Sequence, residues 1–258
     1  MLGQQETETL LRRALGQARA DEAEVLFRGE DSALTRFANN HIHQNVAETN
    51  AEIRYRVLIG KRAGTATTNQ FSDEALAAAA ARALDAAQRQ PEDPDFPGLP
   101  DPLPVTAVAA FDEATAGFSP EARARAVGEI CRLAEERGLT AYGAFSTGRV
   151  ASAVANSRGT QAYFVGTTAD LQTVVMGEDG SGRAQASGWQ VGAIAPEMVG
   201  REAVEKAARA QNPRRVEPGD YPVVVDPYVT RDLVEQLMFG GASAQAVQEG
   251  RSWMNDRI

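Results

Sequence analysis

Six prolines stand at positions 91, 94, 97, 100, 102 and 104, and no helix or interior strand can run through such an interval. Each ring removes a backbone donor and fixes φ, so 91–104 is an extended surface connector. The chain must fold as something before it and something after it. At 258 residues it is long enough for one large or two modest domains with a substantial core.

The two parts read alike. Leu10, Leu11, Ala14, Leu15 and Ala18 recur at helical spacing, which predicts an amphipathic first helix. Alternation then takes over between residues 24 and 68. Val25/Phe27, Leu34/Phe37, His41/His43 and Ile53/Tyr55/Val57/Ile59 predict several short antiparallel strands, turning at Gly29, Asn39-Asn40 and Gly60. Ser72 caps an alanine-rich helix over 73–90 with acids in its first turn. Beyond the connector, Ser119-Pro120 opens a helix running to about Arg137, ahead of Gly138. Strand-like segments follow at 141–147, 151–155, 162–166, 170–176 and 183–191, and Pro196-Glu197 opens another alanine-rich helix that ends by Asn212-Pro213.

Two local matches support a duplication. Leu10-Leu11-Arg12-Arg13-Ala14 corresponds to Ile130-Cys131-Arg132-Leu133-Ala134, and Ala38-Asn39 with Gln44 corresponds to Ala155-Asn156 with Gln161. The expected fold class is α+β: a duplicated helix–antiparallel strands–helix unit, as two curved sheets with helices on one face. The last forty residues differ. Glu217-Pro218-Gly219-Asp220 is a turn cluster, 221–225 reads as a short buried strand, and Asp226-Pro227 leads into a helix carrying Val229, Leu233, Val234 and Leu237 that Gly240-Gly241 breaks. Forty residues are too few for an independent core, so 218–258 reads as the start of a further, incomplete domain.

Charge and composition exclude several functions. A net charge of −9 repels phosphates and argues against a nucleic-acid partner. Cys131 is the single cysteine, so no internal disulfide points to an oxidising compartment. No apolar run suits a bilayer, and residues 1–8 lack the pattern of a secretion signal, so the expected compartment is the cytoplasm.

Candidate chemistry is thin. His41 and His43 are the only histidines; two apart in a strand, they share a face and could approach an adventitious metal, but the residues read more simply as a solvated strand face. Cys131 lies on the apolar stripe of its helix with no activating base, as a core residue does. No serine sits in a Gly-x-Ser-x-Gly elbow. The glycines at 177, 180 and 182 have strand-like flanks and two acids between them, which makes a hairpin turn rather than a phosphate cradle. Asp220, Asp226, Asp232 and Glu235 gather near the final helix without forming an evident acid–base pair.

Three blocks carry a resemblance: Arg36-Phe37-Ala38-Asn39-Asn40-His41-Ile42-His43-Gln44, Ala155-Asn156-Ser157-Arg158-Gly159, and Pro218-Gly219-Asp220-Tyr221-Pro222 continuing to Asp226-Pro227. The closing run from Gly240-Gly241-Ala242 to Gln248-Glu249-Gly250-Arg251-Ser252-Trp253-Met254 fits too. Together they resemble the TldD/PmbA family, whose PmbA-type members are also called TldE or modulator of DNA gyrase. The resemblance implies an N-terminal domain over 1–217, with its internal repeat at about 1–90 and 119–212, and a truncated start of the C-terminal domain over 218–258. It also implies a cytoplasmic metallopeptidase system in which a TldD subunit pairs with a TldE-type subunit to cleave extended or unfolded peptides.

In that family the TldD subunit holds zinc on a His-Glu-x-x-x-His helix. Counted onto this chain, the helix falls at 233–240; Glu235 takes the first His position, Gln236 the Glu position and Gly240 the second His position. The resemblance therefore implies the PmbA/TldE-type partner, with no catalytic, cofactor or metal residue of its own. The implied partners are a TldD-like catalytic subunit or a second copy, together with an extended peptide. A stand-alone metallopeptidase with a non-standard site and an inactive truncated remnant are the alternative readings.

Overall fold

The computed structural model describes residues 2–255. In chain order the elements are α1 (Gln4–Gln17), β1 (Glu22–Ala38), β2 (His41–Ile59), β3 (Arg62–Thr68), α2 (Asp73–Arg89), α3 (Glu113–Ala116), α4 (Pro120–Glu135), β4 (Thr140–Asn156), β5 (Gln161–Met176), β6 (Ser181–Gly188), a 3-10 turn (Val191–Ala193), α5 (Pro196–Arg209), α6 (Pro227–Gly241) and α7 (Ala244–Gln248). Helix starts follow local chemistry. Ser72 and Ser119 each accept a hydrogen bond from the backbone N–H three residues on, at 3.2 Å, and Asp226 accepts from Tyr228 N–H at 2.9 Å.

The α+β class and the repeated helix–strands–helix order hold. The two expected sheets, however, are one antiparallel sheet ordered β3-β2-β1-β4-β5-β6. The halves fuse because β1 pairs with β4 from Glu24 opposite Asn156 to Phe37 opposite Gly143. Both strands are 17 residues long and stand 118 positions apart (140 − 22 and 156 − 38). Asp31 lies opposite Arg149 and is also its repeat equivalent, 118 positions away, so this pair marks a pseudo-twofold axis through the middle of the sheet. There Arg149 Nε donates to Asp31 Oδ2 at 2.5 Å.

The helices cover one face, in two pairs. α1 and α2 pack on Val25, Phe27, Ile53, Tyr55 and Val57, and this core also takes in Ala151, Ala153 and Ala155 of β4. α4 and α5 pack on Phe145, Leu171 and Val175, and this core takes in Phe37 of β1. Each half thus buries side chains of the other. The helix match anticipated from sequence is kept in burial: Leu10, Leu11 and Ala14 are buried in α1 as Ile130, Cys131 and Ala134 are in α4. The Asn–Gln match is not, since Gln44 lies opposite Arg36 inside its ladder and Gln161 opposite Ala155 at the end of another.

The expected strands were too short and too many. Gly29 is no turn but the middle of β1, opposite Ala51 and Ala151. The five segments after the connector are three strands, because Gly148 and Gly166 lie within β4 and β5. At Gly148 a Cβ would stand 2.6 Å from the Asp31 carbonyl oxygen, so glycine is needed there for close approach. Asn39 and Asn40 do form a turn, with φ of 52° and 60°, as a two-residue hairpin favours. The strand expected at 221–225 is irregular and exposed, for no neighbouring segment offers it a ladder, and α6 continues through Gly240 to Gly241. Of the implied domain at 218–258, residues 256–258 lie outside the described residues.

Glycine also sets the helix–sheet distance at equivalent places in the two halves. A Cβ on Gly64 of β3 would lie 2.1 Å from the Ala83 carbonyl of α2, and one on Gly182 of β6 would lie 2.2 Å from the Ala203 carbonyl of α5. Gly128, in the exposed middle of α4, has nothing within 4 Å. Gly182→Val is expected to lower stability by about 2–4 kcal/mol through overpacking against backbone, whereas Gly128→Ala should raise it by roughly 0.5–1 kcal/mol. Urea denaturation of both variants checks the two signs.

Candidate peptide-docking edges

The two short outer strands leave much of the sheet's margin unpaired. β3 pairs with β2 only from Ile53 to Ile59, and β6 pairs with β5 only from Ala169 to Met176. The outer sides of 41–52 in β2 and of 161–168 in β5 are therefore open, and the pseudo-twofold axis relates these two places. They differ in what lies beyond them. Among the described residues no segment pairs with the outer side of 42–52, and nearly all of that stretch is exposed on both faces. At β5, the connector crosses in front of the edge.

This geometry follows from where the helices sit. α1 and α2 cover the end of the sheet that holds 53–59, and α4 and α5 cover the end that holds β6. The far half of β2 lies beyond both pairs. Its nearest helical neighbour is the first turn of α4, where Arg123 reaches the sheet. Arg123 is buried, donating to Thr35 Oγ1 at 3.2 Å, Thr147 Oγ1 at 3.1 Å, the Phe118 carbonyl at 2.8 Å and Asn45 Oδ1 at 3.5 Å. Its acceptors are all neutral. Burial pulls its pKa below the ordinary arginine value, against a weaker opposing pull from Glu121.

A strand edge with unpaired N–H and C=O groups can accept an extended chain by main-chain hydrogen bonds, with little demand on sequence. The hairpin that presents the β2 edge is well fixed. Asn40 Oδ1 accepts from Ala141 N–H at 2.6 Å, its Nδ2 donates to the Leu139 carbonyl at 3.1 Å, and Tyr142 Oη donates to Asn39 Oδ1 at 2.8 Å.

His41 and His43 both lie on this exposed strand, with His41 Nδ1 2.6 Å from the Asn39 carbonyl oxygen. No group of three or more His, Cys, Asp or Glu side chains suited to a metal ion occurs among the described residues. Cys131 is buried in the second core, where desolvation, aided by Glu135, pushes its pKa up to about 11. Gly177 and Gly180 lie in the β5–β6 turn, with Gly177 N–H donating to Gly180 O at 2.9 Å, while Gly182 belongs to β6. The acids near the last helix serve ion pairs: Asp226 meets Lys206 at 2.5 Å, and Asp232 meets Arg183 at 2.8 Å. Asp220 and Glu235 are exposed.

α6 carries neither histidine nor cysteine, so this helix has no imidazole or thiolate to offer a zinc ion. The two histidines stand on β2, separated from β6, to which α6 is tethered, by the whole of β1, β4 and β5.

Family models for the PmbA/TldA metallopeptidases match the chain in three consecutive parts: domain 1 over residues 23–87, the central domain over 102–211 and the C-terminal domain over 218–258. No curated protein sequence matches it. Among solved structures, TldE from Thermococcus kodakarensis is similar with a TM-score of 0.70 at 20% identity, covering 78% of this chain and 47% of that one. A proposed modulator of a DNA gyrase from Thermotoga maritima gives 0.86 at 17% identity, covering 98% and 59%. A proposed modulator of DNA gyrase from Bacteroides thetaiotaomicron gives 0.81 at 16% identity, covering 100% and 62%. These likenesses speak to the fold, and the chain spans between 47% and 62% of the length of these structures.

The segment matched by the third domain model is tethered by polar contacts. Lys206 joins Glu202 at 2.7 Å and Asp226 at 2.5 Å and lies over the Tyr228 ring at 4.7 Å from its centre. Tyr228 Oη donates to the Gln185 carbonyl at 3.1 Å. Lys206 and the Tyr228 N–H hold Asp226 below the usual carboxylate range. At Lys206, partial burial alone would lower the pKa, but hydrogen bonds to Asp226 and Glu202 outweigh it and raise the value. A depressed acid stabilises above its unfolded pKa, of about 3.9, and loses that as pH falls; a raised lysine stabilises below about 10.4 and loses that as pH rises. Exchange of the α6 amides should thus be slowest, relative to a free helix, between these limits, and should quicken at either extreme. Lys206→Met should remove the alkaline arm and leave exchange in α1 and α4 unchanged.

Proposed function

The chain belongs to the PmbA/TldD metallopeptidase family, and we propose that within it this chain is a TldE-like subunit or fragment that carries no zinc centre of its own. It supplies a wall and a strand-addition edge that present extended or unfolded peptides to a TldD-like catalytic partner in the cytoplasm. The observation that carries this reading is an open sheet edge at 41–52 together with an α6 that carries no histidine or cysteine. A bare edge binds main chain without reading sequence, which suits unfolded substrates. Counted from the family's motif, the ligand positions would fall at Glu235, Gln236 and Gly240, none of which carries an imidazole. Apolar side chains on α6, among them Leu233, Leu237 and Phe239, are exposed and suit burial against a partner subunit. No helix of the described residues is long and apolar enough to cross a membrane.

Co-expression with a TldD-type protein should yield a complex that cleaves an unfolded peptide, with activity lost when either chain is omitted. Full activity of the partner alone overturns the subunit role. Elemental analysis of the purified chain is expected to find far less than one zinc per molecule. Near-stoichiometric zinc that disappears in His43→Ala would instead establish a metal centre built on the β2 histidines.

A further inference from the structure

The β5 edge is built differently from its twin. Asn156 N–H donates inward to Thr160 O at 3.0 Å, while Thr167 N–H donates outward to Ala110 O at 2.8 Å. Main-chain groups alternate sides along a strand, so the N–H and C=O of Gln161, Tyr163 and Val165 face away from β4. The connector crossing in front of them is pinned at both ends. Pro100 O accepts from Asn156 Nδ2 and from Thr160 Oγ1, each at 2.9 Å, and Arg158 pairs with Asp101 at 2.7 Å. At the far end Asp112 N–H donates to Thr167 Oγ1 at 3.1 Å. At Gly166 a Cβ would stand 2.9 Å from the Phe164 ring and 3.3 Å from the Ala110 carbonyl oxygen, so glycine makes room for both.

Between the pins nothing zips. Among the described residues no backbone hydrogen bond joins 101–109 to 161–165. Leu103, Val105 and Val108 remain 77%, 59% and 67% exposed. A groove of about 800 Å³ lies along the connector and the edge, lined by Leu26, Val105, Val108, Val154, Tyr163 and Phe164. The prolines supply the reason. Pro100 and Ala110 turn their carbonyls to the sheet, and an extended run puts Pro102 and Pro104 in the same phase, where neither has an N–H to give. The run is also slack: ten residue steps from Pro100 to Ala110 span a gap that takes seven steps along β5 from Thr160 to Thr167, about 24 Å.

We propose that residues 101–109 are a displaceable strap over the β5 edge, and that an extended peptide with apolar side chains at alternate positions adds in its place at 161–165. The strap shows the chemistry of the occupant, since Val105 and Ala107 line the groove at alternate positions beside Val154, Tyr163 and Phe164. The described residues then have one bare edge and one gated edge at equivalent places in the repeat. This rests on the reading that the margins of this sheet receive extended peptides, but it concerns the other margin.

The test uses the full chain and a synthetic peptide of residues 101–110 carrying Pro102→Thr and Pro104→Thr, which restores both donors. Hydrogen exchange is followed residue by residue. With saturating peptide, the amides of Gln161, Tyr163 and Val165 should exchange at least tenfold more slowly while those of 103 and 105–109 stay fast. The same two substitutions made in the chain itself should protect 161, 163 and 165 without peptide and weaken peptide binding at least tenfold. Protection appearing only at 41–52 overturns the strap and leaves the edge reading intact; protection at neither edge overturns both. Slow exchange at 161, 163 and 165 in the unsubstituted chain without peptide also overturns the strap. If the substituted chain does not fold, the peptide measurement on the unsubstituted chain decides alone.

Discussion

Everything in this fold depends on the antiparallel pairing of β1 with β4. The ladder from Glu24–Asn156 to Phe37–Gly143 turns two three-stranded units into one sheet, and it obliges each unit to lend side chains to the other's core. Neither half could bury Phe37 or Ala153 by itself. The Asp31–Arg149 pair sits where the repeat maps onto itself. An exact repeat would place like residues opposite each other there; this sequence has opposite charges instead. Burial alone would raise the Asp31 pKa, but hydrogen bonds from Arg149 and Thr49 and the Arg149 charge hold it below the ordinary range. A fused duplication is free to break its own symmetry at the axis, and here it has done so in the direction that attracts.

The same pairing creates the open margins. Because β1 and β4 are long and antiparallel, their partners β2 and β5 extend past the short β3 and β6 at opposite ends of the sheet. Among the described residues no segment pairs with the outer side of one extension; the other falls under the segment that must travel from α2 to α4. The connector has no choice but to pass that edge, and a segment with ordinary donors passing an open edge would join it. The alternate prolines at 100, 102 and 104 prevent that.

How much of this was legible in the sequence follows from where each signal resides. Helix starts are local events, and Ser72, Ser119 and Asp226 announced them. Strand length is not local. Gly29 looked like a turn yet lies mid-ladder, and glycine at 148 answers to a neighbouring strand that only the tertiary fold brings near. The segment 221–225 shows the converse: its valines have strand propensity, but propensity without a ladder leaves Val224 fully exposed. The absence of histidine after His43 could be read from the sequence directly. Which edge of which strand is unpaired could not, since it depends on strand order. The proline phase in the connector was the one visible trace of the strapped edge, and it acquires meaning only once Pro100 and Ala110 are seen to face the same side.

The final segment obeys different energetics from the rest. The two cores hold their helices by apolar burial, worth about 25 cal/mol per Å², and their glycines bring backbone against backbone. α6 is held instead by ion pairs and hydrogen bonds at Lys206, Arg183 and Tyr228, groups that remain about one-third or more exposed at both charges. Exposed pairs of this kind contribute little to stability. Meanwhile Val229, Leu233, Leu237, Met238 and Phe239 stay in water on a helix that could bury them. Position and stability are therefore separable here: the polar tether orients α6 at the β6 margin, while the larger apolar term is left unsatisfied. On the proposed reading this aimed but uncovered surface would meet the partner, and the tether would fix the angle at which α6 does so.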